Sequence, residues 1–170
     1  MFDVLSRMMR TGILTETFPA SHRIAQLQKH IHGVYGRALG IRVVDAGSCN
    51  GCELEIQALN NPYYNLEGFG INLVASPRHA DLLLVTGPVS VNMAEALRRT
   101  YDAVPEPKLV IAIGDCGACG GAFGSSYASC GAVANVIPVH LTIPGCPPAP
   151  VEILEGILEA AERMSGELHS

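Results

Sequence analysis

Four cysteines stand directly after apolar, β-branched segments, and this arrangement constrains the fold more than any other feature of the sequence. Segment 41–44 precedes Cys49 and Cys52, segment 109–113 precedes Cys116, and segment 139–143 precedes Cys146. If these segments are parallel strands of one sheet, their carboxyl ends lie along the same edge. Thiols from three distant parts of the chain then meet in one small volume, which is the geometry of a metal site.

The apolar segments alternate with segments of helical periodicity. Predicted strands cover 41–45, 71–75, 81–86, 108–113 and 139–143, and predicted helices cover 51–59, 92–103 and 150–164. Strands that are apolar throughout and joined by helical crossovers are typical of a mostly parallel sheet with helices on both faces. We therefore predict an α/β domain over residues 39–165, preceded by an amphipathic, helical N-terminal arm over residues 1–38.

The predicted arm differs from the rest of the chain in charge. Residues 1–42 carry six basic and two acidic side chains, whereas the remainder carries five basic and fourteen acidic ones. A basic arm on an acidic body indicates docking onto a partner protein or an anionic membrane face, with a solvated basic helix as the alternative. The acidic body argues against nucleic-acid binding. No segment reaches the roughly 18 uninterrupted apolar residues of a membrane span.

The cysteines are expected to be reduced. Arg7 and Arg10 interrupt any apolar core near the amino terminus, so no secretory signal is expected. In a chain that is not exported, six cysteines indicate metal binding or redox chemistry rather than a disulfide framework.

The spacing of the cysteines favours a cluster over a single ion. Zinc sites usually contain two close cysteine pairs, whereas this chain has one Cys-x-x-Cys pair and two single cysteines in Gly- and Pro-rich corners. A 4Fe–4S cubane is larger than a zinc ion and takes four thiolates. The predicted ligands of one 4Fe–4S cluster are Cys49, Cys52, Cys116 and Cys146. A structural zinc site in an adaptor protein is the alternative.

The two other cysteines and three carboxylates are further candidates for a role at the site. Cys119 lies three residues after Cys116 and is the rival ligand, whereas Cys130 is interpreted as a packed thiol. Asp115 is expected to be turned away from the site or to tune its reduction potential. Glu53 and Glu55 are interpreted as solvated helix carboxylates, with a role in proton movement as the alternative.

Other chemistries lack their motifs. The sequence contains no G-x-x-x-x-G-K-[ST] and no G-x-G-x-x-G after a strand, and no local pattern indicates a Cys–His or Ser–His nucleophile. A single cluster moves one electron at a time. The sequence therefore predicts an electron-transfer subunit whose complex performs the reaction elsewhere.

With these motifs in hand, the sequence resembles the small subunit of group 4, membrane-associated nickel–iron hydrogenases of the formate hydrogenlyase type. These subunits are relatives of the 20-kDa subunit of respiratory complex I. The resemblance spans about residues 25–162 and is carried by the segments 47–55, 76–81, 86–89 and 143–148, and by 114–116 with Gly120 and Gly121.

The resemblance implies a flavodoxin-like fold and a 4Fe–4S cluster bound by Cys49, Cys52, Cys116 and Cys146. It implies three kinds of partner: a large subunit with the nickel–iron site for proton and hydrogen interconversion, a ferredoxin-like iron–sulfur subunit, and membrane-arm subunits. The expected location is peripheral, on the cytoplasmic side of the cell membrane.

The resemblance also leaves an alternative within the same superfamily. Complex I members carry two adjacent cysteines at the first ligand pair, whereas Asn50 and Gly51 separate the pair here. This separation favours the hydrogenase branch. The alternative is the corresponding subunit of a complex-I-like NADH:quinone oxidoreductase, which pairs with a homologue of the 49-kDa subunit and passes electrons to quinone.

Overall fold

The computed structural model describes residues 37–168, and side chains up to residue 163. The predicted N-terminal arm therefore lies outside the described residues, except for its last two positions. Within these residues five strands form the sheet: β1 (Leu39–Asp45), β2 (Ile71–Leu73), β3 (Leu82–Thr86), β4 (Leu109–Ile113) and β5 (Leu141–Ile143). The described part of the chain also contains four helices: α1 (Gly51–Ala58), α2 (Val91–Ala103), α3 (Gly114–Cys119) and α4 (Pro150–Leu168). Short 3-10 helices occupy Leu66–Phe69, Pro77–His79 and Val133–Asn135.

The sheet is parallel throughout, in the order β2-β1-β3-β4-β5. This is the flavodoxin-like order of doubly wound folds, in which ligands bind outside the carboxyl ends of the strands. The register pairs Asp45 with Thr86 and Thr86 with Ile113, and it pairs Ile113 with Ile143. The ends of β1, β3, β4 and β5 therefore lie side by side, and the predicted fold class is confirmed.

Each face of the sheet packs against its own hydrophobic core. In β3, Leu82 and Leu84 face one core and Leu83 and Val85 face the other, because successive side chains point to opposite faces. Helices α1 and α4 contribute to the first core, whereas α2 contributes to the second. A fully buried leucine such as Leu84 stabilises the fold by about 1.5–3 kcal/mol, so these two layers hold the strand ends in fixed positions.

The observed elements differ from the predicted ones in several bounds, since β1 begins at Leu39, β2 ends at Leu73 and α4 continues to Leu168. Strand β5 contains only Leu141–Ile143. Just before it, the Nδ1 atom of His140 accepts a hydrogen bond from the Val110 N–H at 3.0 Å, and Val139 packs against the core on the α2 face. The Gly-rich segment 114–131 begins with helix α3, which was not predicted because glycine is unfavourable in helices. Helix α2 buries Ala94 and Leu97 at a spacing of three residues, whereas Ala96 between them is exposed. In the part of the chain that the structure describes, no helix is both long and apolar enough to cross a membrane.

Candidate metal centre

Four thiols line one cavity at the carboxyl edge of the sheet. The cavity has a volume of about 90 Å³, and its cysteines are Cys49, Cys52, Cys116 and Cys146. Much of the remaining wall is glycine, at positions 51, 87, 114 and 145. Because glycine has no side chain, these positions leave the space between the thiols open. The structure therefore brings together the four cysteines that the sequence selected, from the ends of β1, β4 and β5.

A hydrogen-bonded turn positions the first cysteine pair. The Oδ1 atom of Asp45, the last residue of β1, accepts hydrogen bonds from the backbone N–H groups of Gly47 and Ser48, both at 2.8 Å. The hydroxyl of Ser48 in turn accepts from the N–H of Asn50 at 3.0 Å. Asn50 has a left-handed backbone with φ 71°, and α1 begins at the next residue. The turn leaves Cys49 exposed, whereas Cys52 in the first turn of α1 is buried.

The other two thiols follow the neighbouring strands β4 and β5. Helix α3 begins directly after β4 and carries Cys116, which is half-buried. Cys146 lies between β5 and α4 and is exposed. The two segments are joined by a pair of hydrogen bonds between Asp115 and Gly145, with lengths of 2.8 and 2.9 Å. The carboxylate of Asp115 is therefore turned toward the Cys146 segment.

The cavity disfavours free thiolates. Burial raises the pKa of the Cys52 thiol to about 11, with further contributions from Glu53, Cys49, Cys116 and Cys146. Burial also raises the pKa of Cys116, followed by the effects of Cys146, Cys49, Asp115 and Cys119. Four thiolates gathered beside carboxylates repel one another unless cations lie between them. This donor set fits a cationic group with a high affinity for sulfur, such as zinc or iron.

Among residues 37–163, no three His, Cys, Asp or Glu side chains are arranged to hold a single metal ion.

Glu53 is not solvated, contrary to the interpretation from sequence. It is half-buried, and its Oε1 atom contacts the hydroxyl of Thr86 at the end of β3. Its Oε2 atom is buried and has no hydrogen-bond partner among the described residues. The contact joins positions 33 residues apart. Local periodicity contains no signal for it, so sequence reasoning missed Thr86.

The remaining cysteines do not line the cavity. The thiol of Cys119 is exposed and donates a hydrogen bond to the carbonyl of Asp115 at 3.2 Å, within the turn of α3. Cys130 is half-buried and packs against the core on the α2 face, as a packed thiol should. The geometry thus separates these two cysteines from the four candidate ligands.

We expect alkylation of the cluster-free chain to distinguish Cys52 from Cys119. A pKa near 11 instead of 9.0 gives Cys52 a thiolate fraction about 100-fold smaller at pH 8, and burial slows its reaction further. Because the pKa of Cys52 is raised to about 11, its alkylation rate should keep rising through pH 10. Pulsed iodoacetamide labelling with peptide mass spectrometry measures both rates.

The urea-unfolded chain is the control for this labelling, because both cysteines should then react alike. Equal rates at Cys52 and Cys119 in the folded chain at pH 8 would contradict the burial of Cys52.

Comparison with known protein families gives a match over the segment that contains all four candidate ligands. Residues 49–160 match the family described as NADH ubiquinone oxidoreductase, 20 Kd subunit. A probable membrane-bound hydrogenase subunit of Pyrococcus furiosus is 47% identical over 143 residues, covering 84% of this chain and 83% of the relative. Formate hydrogenlyase subunit 7 of Escherichia coli is 40% identical over 147 residues, covering 86% of this chain and 58% of the relative. An NADH-quinone oxidoreductase subunit of Herpetosiphon aurantiacus is 45% identical over 114 residues, covering 66% of this chain and 63% of the relative.

Solved structures show the same fold. A chain of the membrane-bound sulfane sulfur reductase, an archaeal respiratory membrane complex, superposes with a TM-score of 0.68 at 33% identity, covering 81% of this chain and 76% of that chain. A [NiFeSe] hydrogenase chain of Desulfovibrio vulgaris Hildenborough superposes with a TM-score of 0.51 at 21% identity, covering 72% and 59%. The second likeness concerns the fold alone.

Proposed function

The chain belongs to the family of the 20-kDa subunit of NADH ubiquinone oxidoreductase, which also includes hydrogenase subunits, and from this premise we propose that it is an electron-transfer subunit. In this proposal it binds one 4Fe–4S cluster through Cys49, Cys52, Cys116 and Cys146. It relays electrons between a nickel–iron large subunit and other iron–sulfur subunits of a membrane-associated hydrogenase complex. Its relatives are subunits of oxidoreductase complexes, and the chain is not expected to be catalytic alone.

The observation that carries the proposal is the set of four thiols around one cavity. They come from three strand ends, yet they line the same space, and the other three thiols contribute to the raised pKa of Cys52. A bound 4Fe–4S cluster would supply one-electron transfer. The residues of this chain would contribute the thiolates and a rigid edge of the sheet. The glycines that line the cavity would leave space for the cluster.

The exposure of the site supports a role within a complex. Cys49 and Cys146 are exposed, so one side of the cavity opens to the surface. Leu54, two residues after Cys52 on α1, is an apolar side chain that is 57% exposed. We propose that the large subunit covers this side and that a ferredoxin-like subunit exchanges electrons with it. Membrane-arm subunits would hold the assembly peripherally on the cytoplasmic side of the membrane.

A complex-I-like role is the second candidate, supported by the 45% identity to the NADH-quinone oxidoreductase subunit of Herpetosiphon aurantiacus. The Cys-x-x-Cys spacing of Cys49 and Cys52 favours the hydrogenase branch. The sequence of the large-subunit partner separates the two. Two Cys-x-x-Cys pairs in that partner would indicate a nickel–iron site, and their loss would indicate quinone reduction.

Metal analysis of anaerobically purified protein tests the proposed cofactor. We expect about four iron and four acid-labile sulfide per chain, the composition of one 4Fe–4S cluster. Reduction with dithionite should produce an electron paramagnetic resonance signal that accounts for about one unpaired spin per chain.

The zinc content of the same sample is measured as the control. Stoichiometric zinc without iron or labile sulfide would refute the redox function and support the structural adaptor instead.

A further inference from the structure

Two segments that carry candidate ligands are joined by a reciprocal pair of hydrogen bonds. The backbone N–H of Asp115 donates to the carbonyl of Gly145 at 2.8 Å. The N–H of Gly145 donates to the Oδ1 atom of Asp115 at 2.9 Å. Asp115 immediately precedes Cys116 and Gly145 immediately precedes Cys146, so both bonds lie one residue from a candidate ligand.

These bonds continue the connection between β4 and β5 beyond the sheet. The ladder between the two strands ends with the pair Ile113 and Ile143. After that pair both segments leave the strand conformation: the segment after β4 enters α3, and the segment after β5 leads to α4. The side chain of Asp115 supplies the acceptor that a backbone carbonyl would have supplied in a longer ladder. It is half-buried, which limits competition from water for this bond.

We propose that Asp115 is a positioning residue for the cluster site, because its carboxylate fixes the Cys146 segment at a set distance from Cys116. This inference rests on the proposed function and adds a residue that does not itself bind the cluster. Partners of this kind orient the ligands, and their loss typically lowers metal affinity about 10- to 100-fold. The same carboxylate brings a negative charge next to the cavity, which favours the oxidised form of a bound cluster.

Two substitutions separate the hydrogen bond from the charge. Asp115→Ala removes both, whereas Asp115→Asn keeps an oxygen acceptor and removes only the charge. We expect Asp115→Ala to release iron to a chelator about 10- to 100-fold faster than the parent protein. Asp115→Asn should release iron within about twofold of the parent rate, because the amide oxygen still accepts from Gly145. Its midpoint potential should shift to a more positive value.

A second measurement does not require the cluster. Hydrogen–deuterium exchange of the peptide that contains Gly145 reports directly on the bond to Asp115, in protein with or without iron. We expect exchange at this position to be about tenfold faster in Asp115→Ala, since a lost hydrogen bond of ordinary strength has an effect of that size. Asp115→Asn should exchange at the parent rate.

Asp102→Asn is the matched control for charge. Asp102 lies on the last turn of α2, which runs back from the ligand edge, so it sits at the opposite edge of the sheet and is exposed. The same loss of charge there should leave both the iron-release rate and the midpoint potential unchanged.

The outcomes distinguish this inference from the proposed function. Parent rates of iron release and exchange in Asp115→Ala would overturn the positioning role and leave the cluster assignment standing. Equally fast iron release from Asp115→Ala and Asp115→Asn would also overturn it, because charge alone would then be responsible. A parent protein that binds zinc and no iron would refute the proposed function, while the exchange experiment would still test the bond between the two segments.

Discussion

Replacement of Cys116 by alanine is expected to abolish most iron binding, whereas the same replacement of Cys119 should leave it intact. Both cysteines lie in the six-residue helix α3. The thiol of Cys116 lines the cavity, but that of Cys119 is exposed and bonds to the carbonyl of Asp115. Losing even an outer partner of a metal ligand weakens binding about 10- to 100-fold, so losing a ligand should lower the affinity for the cluster by more than about tenfold.

The measurements are iron and labile sulfide per chain, together with the visible absorbance of anaerobically prepared protein. Cys119→Ala is a close control because it removes the same chemical group three residues away. Circular dichroism of both variants checks that the sheet has formed. If Cys116→Ala kept all its iron and Cys119→Ala lost it, Cys119 would be the ligand and Cys116 would not. Loss in both variants would make Cys119 a part of the site.

Gly114→Ala should also abolish most iron binding, although it changes no ligand. Gly114 has a φ of +77°, and a Cβ atom there would lie 2.8 Å from the Cys52 sulfur and 3.2 Å from the Gly145 carbonyl oxygen. The first separation is too short, so the Cys52 thiol would have to move. That thiol is buried in the first turn of α1, and a shift of the thiol displaces a candidate ligand.

Gly70→Ala isolates the steric part of this effect. Gly70 has nearly the same φ, +78°, but a Cβ atom there meets nothing within 4 Å. Left-handed backbone costs a residue with a Cβ atom roughly 1–2 kcal/mol, and this cost is common to both variants. We expect Gly70→Ala to lose about that much stability in urea unfolding and to keep its iron. Gly114→Ala should lose both stability and most of its iron.

Equal iron contents in the two glycine variants would contradict the close approach of Gly114 to Cys52. Iron loss in Gly70→Ala alone would mean that the region around residue 70 matters for the site, which the structure does not support.

The central strands could be predicted from sequence because their residues are apolar without interruption. All five residues of β3 and all five of β4 are buried, so the composition of each segment directly reflects its environment. The same segments also predicted that the four candidate ligands lie at one edge of the sheet, because the carboxyl ends of parallel strands lie at the same edge. Family resemblance selected the same four cysteines independently.

The polar contacts of the site could not be predicted in this way. The carboxylate of Glu53 reaches Thr86, and that of Asp115 reaches Gly145, across 33 and 30 residues of sequence. Such contacts depend on the crossover connections and have no periodicity of their own. Helix α3 was missed for a different reason, since glycine at both of its ends is typical of loops and lowers helix propensity.

The exposure of Cys49 and Cys146 has a consequence for how such a subunit must be handled. A cluster at this position would have its inner half protected by the protein and its outer half open to dissolved oxygen until another chain is bound. Oxygen tolerance would then be a property of the assembled complex, gained only when the last subunit is in place. The free chain should therefore bleach in air faster than the same chain within its complex.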